Sequence, residues 1–397
     1  MVRGCWPGPG ASLGDGSLPW DYRRRLWWLL WGQCPGLGAV RLPALEAHFG
    51  SLEAAWQAPG AALAALPGWG AVLLAQVESF RARWGPEPLP RLALQLRGGR
   101  GVLLPGDPRW PGSMGALSRP PLALWWRGHG SLWPLLAQRG GVAVVGTRRP
   151  SSHGLAMAHR LGGALAVAGW PVVSGLAEGI DGEAHRGALA ARGAPVAVLG
   201  TPLERVYPRH HGSLQAEVGR MGLLLSEQPP GAAVLRGHFA SRNRLLVALA
   251  RAVVVVECPP RSGALLSAEL AWSQELPLWV IPADAARQSA VGSNRLLAQG
   301  ATPLLDPADL IAQLGPGPLA RRAVTAAGPA DRGGAAHSAA ERAVLDAVGG
   351  GASLEDLCRH LGTSAAQLAP QLLQLELAGQ LRAEPGLRWR PAARPSP

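Results

Sequence analysis

Six short runs of apolar residues, most of them β-branched and spaced by helix-length segments, constrain this chain more than any other feature. They are Val142–Val145, Pro171–Ser174, Val196–Gly200, Leu223–Ser226, Val253–Glu257 and Leu278–Ile281. A strand with one wet face alternates apolar and polar residues, whereas a continuously apolar run needs cover on both faces. Helices on both sides of a parallel sheet supply that cover. The expected fold class is therefore α/β, an extended Rossmann-like and mostly parallel sheet, over about residues 95–314. Ligands of such sheets gather outside the carboxyl ends of the strands, which directs attention to the residues that follow each run.

The flanks read differently. Residues 1–18 are rich in Gly and Pro and are expected to be disordered. Residues 19–90 read as helical and carry two similar segments, CPGLGAVRL (Cys34–Leu42) and LPGWGAVLL (Leu66–Leu74). Each resembles the turn of a SAM/helix-hairpin-helix-like unit, in which glycines let backbone amides approach a DNA phosphate. A plain tight turn in a small bundle is the alternative, because only Arg41 stands near the first turn. Residues 315–337 read as a linker. Residues 338–391 read as three helices and a hairpin, a winged helix. Ser353 is the expected cap of the second helix with Asp356 in a capping box, Thr363 that of the third, and Pro385-Gly386 the turn.

Composition removes several function classes. All 38 basic residues are Arg, against 26 acidic ones, for a net charge of +12. Without Lys there is no Walker A loop and no Schiff-base chemistry. The positive balance favours a polyanion, since Arg pairs bidentately with phosphate and stacks on bases. Cys5, Cys34, Cys258 and Cys358 have no zinc or disulfide spacing. No apolar run approaches the roughly 18 residues a bilayer requires, and the first residues lack a signal-peptide core. A cytoplasmic protein without membrane contact is expected. The 16 Trp read as core rather than as a stacking platform.

The strand ends carry the candidate chemistry. The first run ends in Gly146-Thr147-Arg148-Arg149 and leads through Pro150 to Gly154 at a helix start, a geometry suited to an anion. No GxGxxG is present and no acidic residue ends the next run, so no nicotinamide or flavin cofactor is expected. The second run gives Ser174-Gly175, followed by Glu178, Asp181, Glu183 and His185. These fit no metal-ligand motif and read as a cap and a solvated helix face. His210-His211 reads as an exposed loop. Phe239 precedes Arg242-Asn243-Arg244 at a helix start, an odd place for two cations unless an anion binds there. A salt-bridge hub is the alternative. Arg261-Ser262-Gly263 opens another helix in an anion-cradling turn.

Seven ordered blocks resemble the motifs of the DNA-processing protein A (DprA/Smf) family: VAVVGTRRPSSHG, VVSGLAEGIDGEAH, AVLGTPLERVYP, LLLSEQPPG, HFASRNRLLVAL, VVVVECPPRSGALLSAELA and GSNRLLAQGA. The resemblance implies a homodimer, without cofactor or catalysis, that binds and protects single-stranded DNA and loads the RecA recombinase on it in natural transformation. It carries DNA contacts to Gly146, Thr147, Arg148, Gly154, Ser174, Gly175, Arg242, Asn243 and Arg244, and to Phe239 and Arg261, Ser262 and Gly263. Ala240 departs from a usual Pro, and Pro202 and Ala283 from usual glycines.

Two readings compete. A phosphoribohydrolase-like enzyme would use a PGGxGTxxE loop, but Pro260–Glu269 lacks the second Gly and the Thr. A duplex regulator would read bases with its third winged-helix segment, Ala365–Gly379, which has no Arg and carries Glu376 and Pro370. Protein docking fits that segment better.

Overall fold

The computed structural model describes residues 21–96, 101–320, 339–384 and 386–392. The expectation for residues 1–18 and residues 321–337 of the expected linker lie outside these residues.

All six apolar runs become strands. In chain order the large sheet comprises β1 (Gly101–Leu103), β2 (Leu124–Gly128), β3 (Gly141–Val145), β4 (Val172–Ser174), β5 (Val196–Leu199), β6 (Leu223–Ser226), β7 (Ala250–Val255), β8 (Leu278–Val280) and β9 (Thr302–Pro303). Their spatial order is β1-β2-β6-β5-β4-β3-β7-β8-β9. Pairings from β6 across to β9 are all parallel, whereas β1, β2 and β6 pair antiparallel. The chain runs outward from β3 to β6 on one side, then returns to lay β7 against β3 on the other. The order therefore reverses at the β3–β7 pair, and a ligand crevice is expected outside its carboxyl end. The sequence reading missed β1, β2 and β9. Leu-Trp-Trp-Arg-Gly is not β-branched, and β9 is a two-residue edge.

Six helices between Tyr22 and Gln95 form the N-terminal layer. The two repeated turns are present, and Gly36 and Gly68 take the left-handed φ of 82° and 77° that the turns require. The layer packs around Trp31 and Trp56, edge to face at 5.0 Å. It shares its core with Trp125, Leu199 and Leu224 of the sheet. Arg25 ties it to Asp107 at 2.6 Å and to the Val102 carbonyl at 3.2 Å. Trp126 and Trp133 are likewise buried.

The C-terminal unit has helices Ala339–Val348, Leu354–Leu361 and Ala365–Leu377 and the strands β10 (Ala352–Ser353), β11 (Leu381–Glu384) and β12 (Arg388–Pro391). Its small sheet has the order β10-β12-β11. The Ser353–Asp356 capping box forms as expected. The third helix is capped by Ser364 in a box with Gln367, not by Thr363, whose hydroxyl donates to Gln367 Oε1 at 3.1 Å. Ser364 takes the extended N-cap conformation immediately before the helix, which sets its hydroxyl to accept from Gln367 N at 3.3 Å. The unit docks on the large domain. Leu132, Trp133 and Leu136 share a core with Leu368, Leu372 and Leu373. Buried Glu376 accepts from Ser131 Oγ at 2.5 Å and Trp389 Nε1 at 3.1 Å. The expected linker starts late: Gly317 N donates to Ala168 O at 2.7 Å and Leu319 N to Gly169 O at 3.0 Å, so its first residues are fastened to the sheet domain.

Candidate nucleic-acid interface

The strand ends of β3, β4, β5 and β7 converge, and the polar residues there fall into two layers. The inner layer is closed to solvent. Arg242 is 4% exposed and Asp181 6%. Arg242 Nη2 stands 3.4 Å from Asp181 Oδ2, Nη1 donates to the Val198 carbonyl, and Nε donates to Asn243 Oδ1 at 3.0 Å. Asn243 Nδ2 donates to Gly263 O at 3.0 Å, and Gly175 N donates to Asp181 Oδ2 at 3.1 Å. Ser174 Oγ donates to Val144 O at 2.6 Å. Burial pushes the Asp181 carboxyl up and the Arg242 guanidinium down, each partly offset by the other's charge. The guanidinium stays charged because its ordinary value is so high. Gly175 makes room for it: a Cβ there would lie 1.8 Å from Arg242 Nη2.

The Arg242-Asn243-Arg244 cluster is thus the salt-bridge hub rather than an open pair of cations. Arg244 is held by Glu227 Oε2 at 2.5 Å and donates to the Arg119 carbonyl at 2.9 Å. Asp181 and His185 are buried rather than on a solvated face. His185 has its pKa pushed down to about 3, first by burial. His211 is also buried, not in an exposed loop, and faces the Leu176 carbonyl at 3.1 Å.

The outer layer is exposed and cationic. Arg148 follows β3 on the surface, with its guanidinium 5.6 Å from the Phe239 ring and 6.0 Å from that of Tyr207. The two rings lie 4.6 Å apart, tilted by 47°. Phe239 covers Gly200 at the end of β5, where a Cβ would come within 2.9 Å of the ring. Exposed Arg236 stands one turn before Phe239. Arg149 and Arg261 are also exposed, and Ser262 caps helix Gly263–Ser273. A cation over two rings, with further arginines around it, offers both phosphate pairing and base stacking. Thr147 Oγ1 accepts from Arg149 N at 3.2 Å and holds this turn.

The expected anion position at the first helix start is already filled. Gly154 is buried, its amide donates to Ser151 Oγ at 3.1 Å, and Glu257 lies against it. Gly146 is packed against Ile180 and the Glu257 carbonyl. Sequence reasoning singled out these strand ends but did not separate their layers. It passed over Tyr207, one of only two Tyr in the chain, whose place in a strand-end loop was the available signal.

The fold and this surface define a Rossmann-like domain with a cationic aromatic strand-end face, joined to a winged helix. Residues 101–315 match the family DNA recombination-mediator protein A, and residues 328–386 match the DprA winged helix domain. The chain is 36% identical over 293 residues to Protein Smf of Synechocystis, covering 74% of this chain and 73% of that one. It is 37% identical to a putative DNA processing protein DprA of Mycobacterium tuberculosis, covering 75% and 78%. Among solved structures, DNA processing protein A from Streptococcus pneumoniae superposes with a TM-score of 0.61 at 26% identity, covering 72% of this chain and 97% of that one. The chain belongs to the DNA recombination-mediator protein A (DprA/Smf) family.

Proposed function

We propose that this protein binds single-stranded DNA on the Arg148–Tyr207–Phe239 face and acts without catalysis, protecting the strand and loading RecA recombinase on it as a cytoplasmic homodimer. The observation that carries the reading is the exposed Arg148 guanidinium set over two adjoining, mutually tilted rings at the carboxyl ends of the strands. Bases of any sequence can stack on such rings while the cation pairs with phosphate. The inner layer, Ser174, Gly175, Asp181, Arg242 and Asn243, supports this face from behind. Family membership and the positive charge of the chain favour the same partner.

The test is a fluorescence-anisotropy titration with labelled oligothymidine and a duplex of equal length over a salt series. The single strand is expected to bind more tightly, and Arg148→Ala and Phe239→Ala to weaken it. Duplex preference, or indifference to both substitutions, rejects the reading.

A further inference from the structure

At the β3–β7 switch point a Rossmann-like sheet normally offers a helix N-terminus to a phosphate. Here the helix is Ser152–Val167, and Glu257, just past β7, fills its start. The Glu257 side chain is buried, with the residue 1% exposed. Its carboxylate oxygens accept from Ser151 N at 3.1 and 3.2 Å, and Oε2 accepts from Ser151 Oγ at 2.6 Å. A Cβ on Gly154 would lie 2.2 Å from Oε2, so the carboxylate rests directly on the first turn. No cation is bonded to Glu257 among the described residues. Its charge is met by hydroxyl and amide donors and by the positive end of a 16-residue helix.

We infer that Glu257 is a specificity-determining residue: a built-in anion that occupies the mononucleotide phosphate position and excludes free phosphate and nucleotides from the crevice. Two anions cannot share this site. The carboxylate takes the donors a phosphate would need, and the repulsion of a second anion is screened less in this buried position than in bulk water. A phosphodiester ligand is thereby restricted to the outer surface around Arg148. The inference concerns phosphate alone and stands or falls separately from the single-strand reading.

The test is thermal unfolding of the full chain with inorganic phosphate and with dTMP, against chloride at matched ionic strength. The wild type is expected to show no saturable shift. Glu257→Ala should start from a lower midpoint and regain about 3 °C or more with saturating phosphate, as ligand linkage requires. Glu257→Gln, which fills the volume and keeps an acceptor for Ser151, should gain nothing, and adding Ser151→Ala should abolish the response of Glu257→Ala. Saturable phosphate binding by the wild type overturns the inference, as does a folded Glu257→Ala that gains none. If Glu257→Ala does not fold in chloride, recovery of the folded protein in phosphate supports it and failure in both salts overturns it.

Discussion

Arg148 and Arg242 both stand at the strand ends, yet their replacement by Ala should have opposite consequences. Arg148 is exposed and Arg242 is 4% exposed beside buried Asp181. For single strands the slope of log affinity against log salt is about −0.7 per neutralised phosphate. Losing one contact at Arg148 should therefore flatten the slope by about 0.7. Between 50 and 200 mM salt, the affinity loss should shrink by a factor of about 2.6 relative to wild type. Stability should stay within about 0.5 kcal/mol, as for other surface substitutions. Arg242→Ala instead leaves Asp181 buried without its cation and strips donors from the Val198 carbonyl and Asn243 Oδ1. Breaking a buried pair from one side costs about 3–5 kcal/mol. That corresponds to roughly 6–20 °C in midpoint for a domain of this size. Salt-series anisotropy and urea unfolding on both variants decide the matter. A stable Arg242→Ala with a flattened slope, beside an Arg148→Ala with an unchanged one, would refute the division into layers.

Other outcomes follow from the same geometry. His185 is held neutral by burial, with a folded pKa of about 3 against 6.5 unfolded. The unfolded chain binds the extra proton between these values, so the stabilisation present above pH 6.5 is lost as pH falls toward 3. It should amount to about 2 kcal/mol by pH 5, and urea midpoints should fall less steeply in His185→Gln. Gly200→Ala places a Cβ 2.9 Å from the Phe239 ring. It should lower oligothymidine affinity roughly fivefold or more by displacing the stacking face, measured by anisotropy. Glu376→Ala removes the acceptor shared by Ser131 and Trp389. It should destabilise the docked winged helix by about 1–3 kcal/mol and accelerate limited proteolysis of the C-terminal unit relative to wild type. An unchanged cleavage rate would mean that apolar packing alone holds the unit in place.

The strands from β3 to β8 and the three helices of the winged helix were legible in the sequence because their signals are local. Continuous apolar runs specify a doubly covered strand, and Ser353 with Asp356 specifies a helix start, whatever the rest of the chain does. The antiparallel edge β1–β2 was not legible, since Leu124–Gly128 becomes a strand only by pairing with β6. The candidate site was legible as a set of strand ends but not as a surface. Arg242 and Arg244 are two residues apart and chemically identical, yet one enters the gap left by the missing side chain of Gly175 and the other meets Glu227. Glu257 reads as the last residue of an apolar run until the fold lays it on the helix that follows β3. Tyr207 and Phe239 join Arg148 only when β3, β5 and the segment before β7 are stacked side by side. Composition and periodicity fixed which segments fold and the charge they carry. Which charges face water depends on the space that distant residues leave for them, and tertiary packing alone decides that.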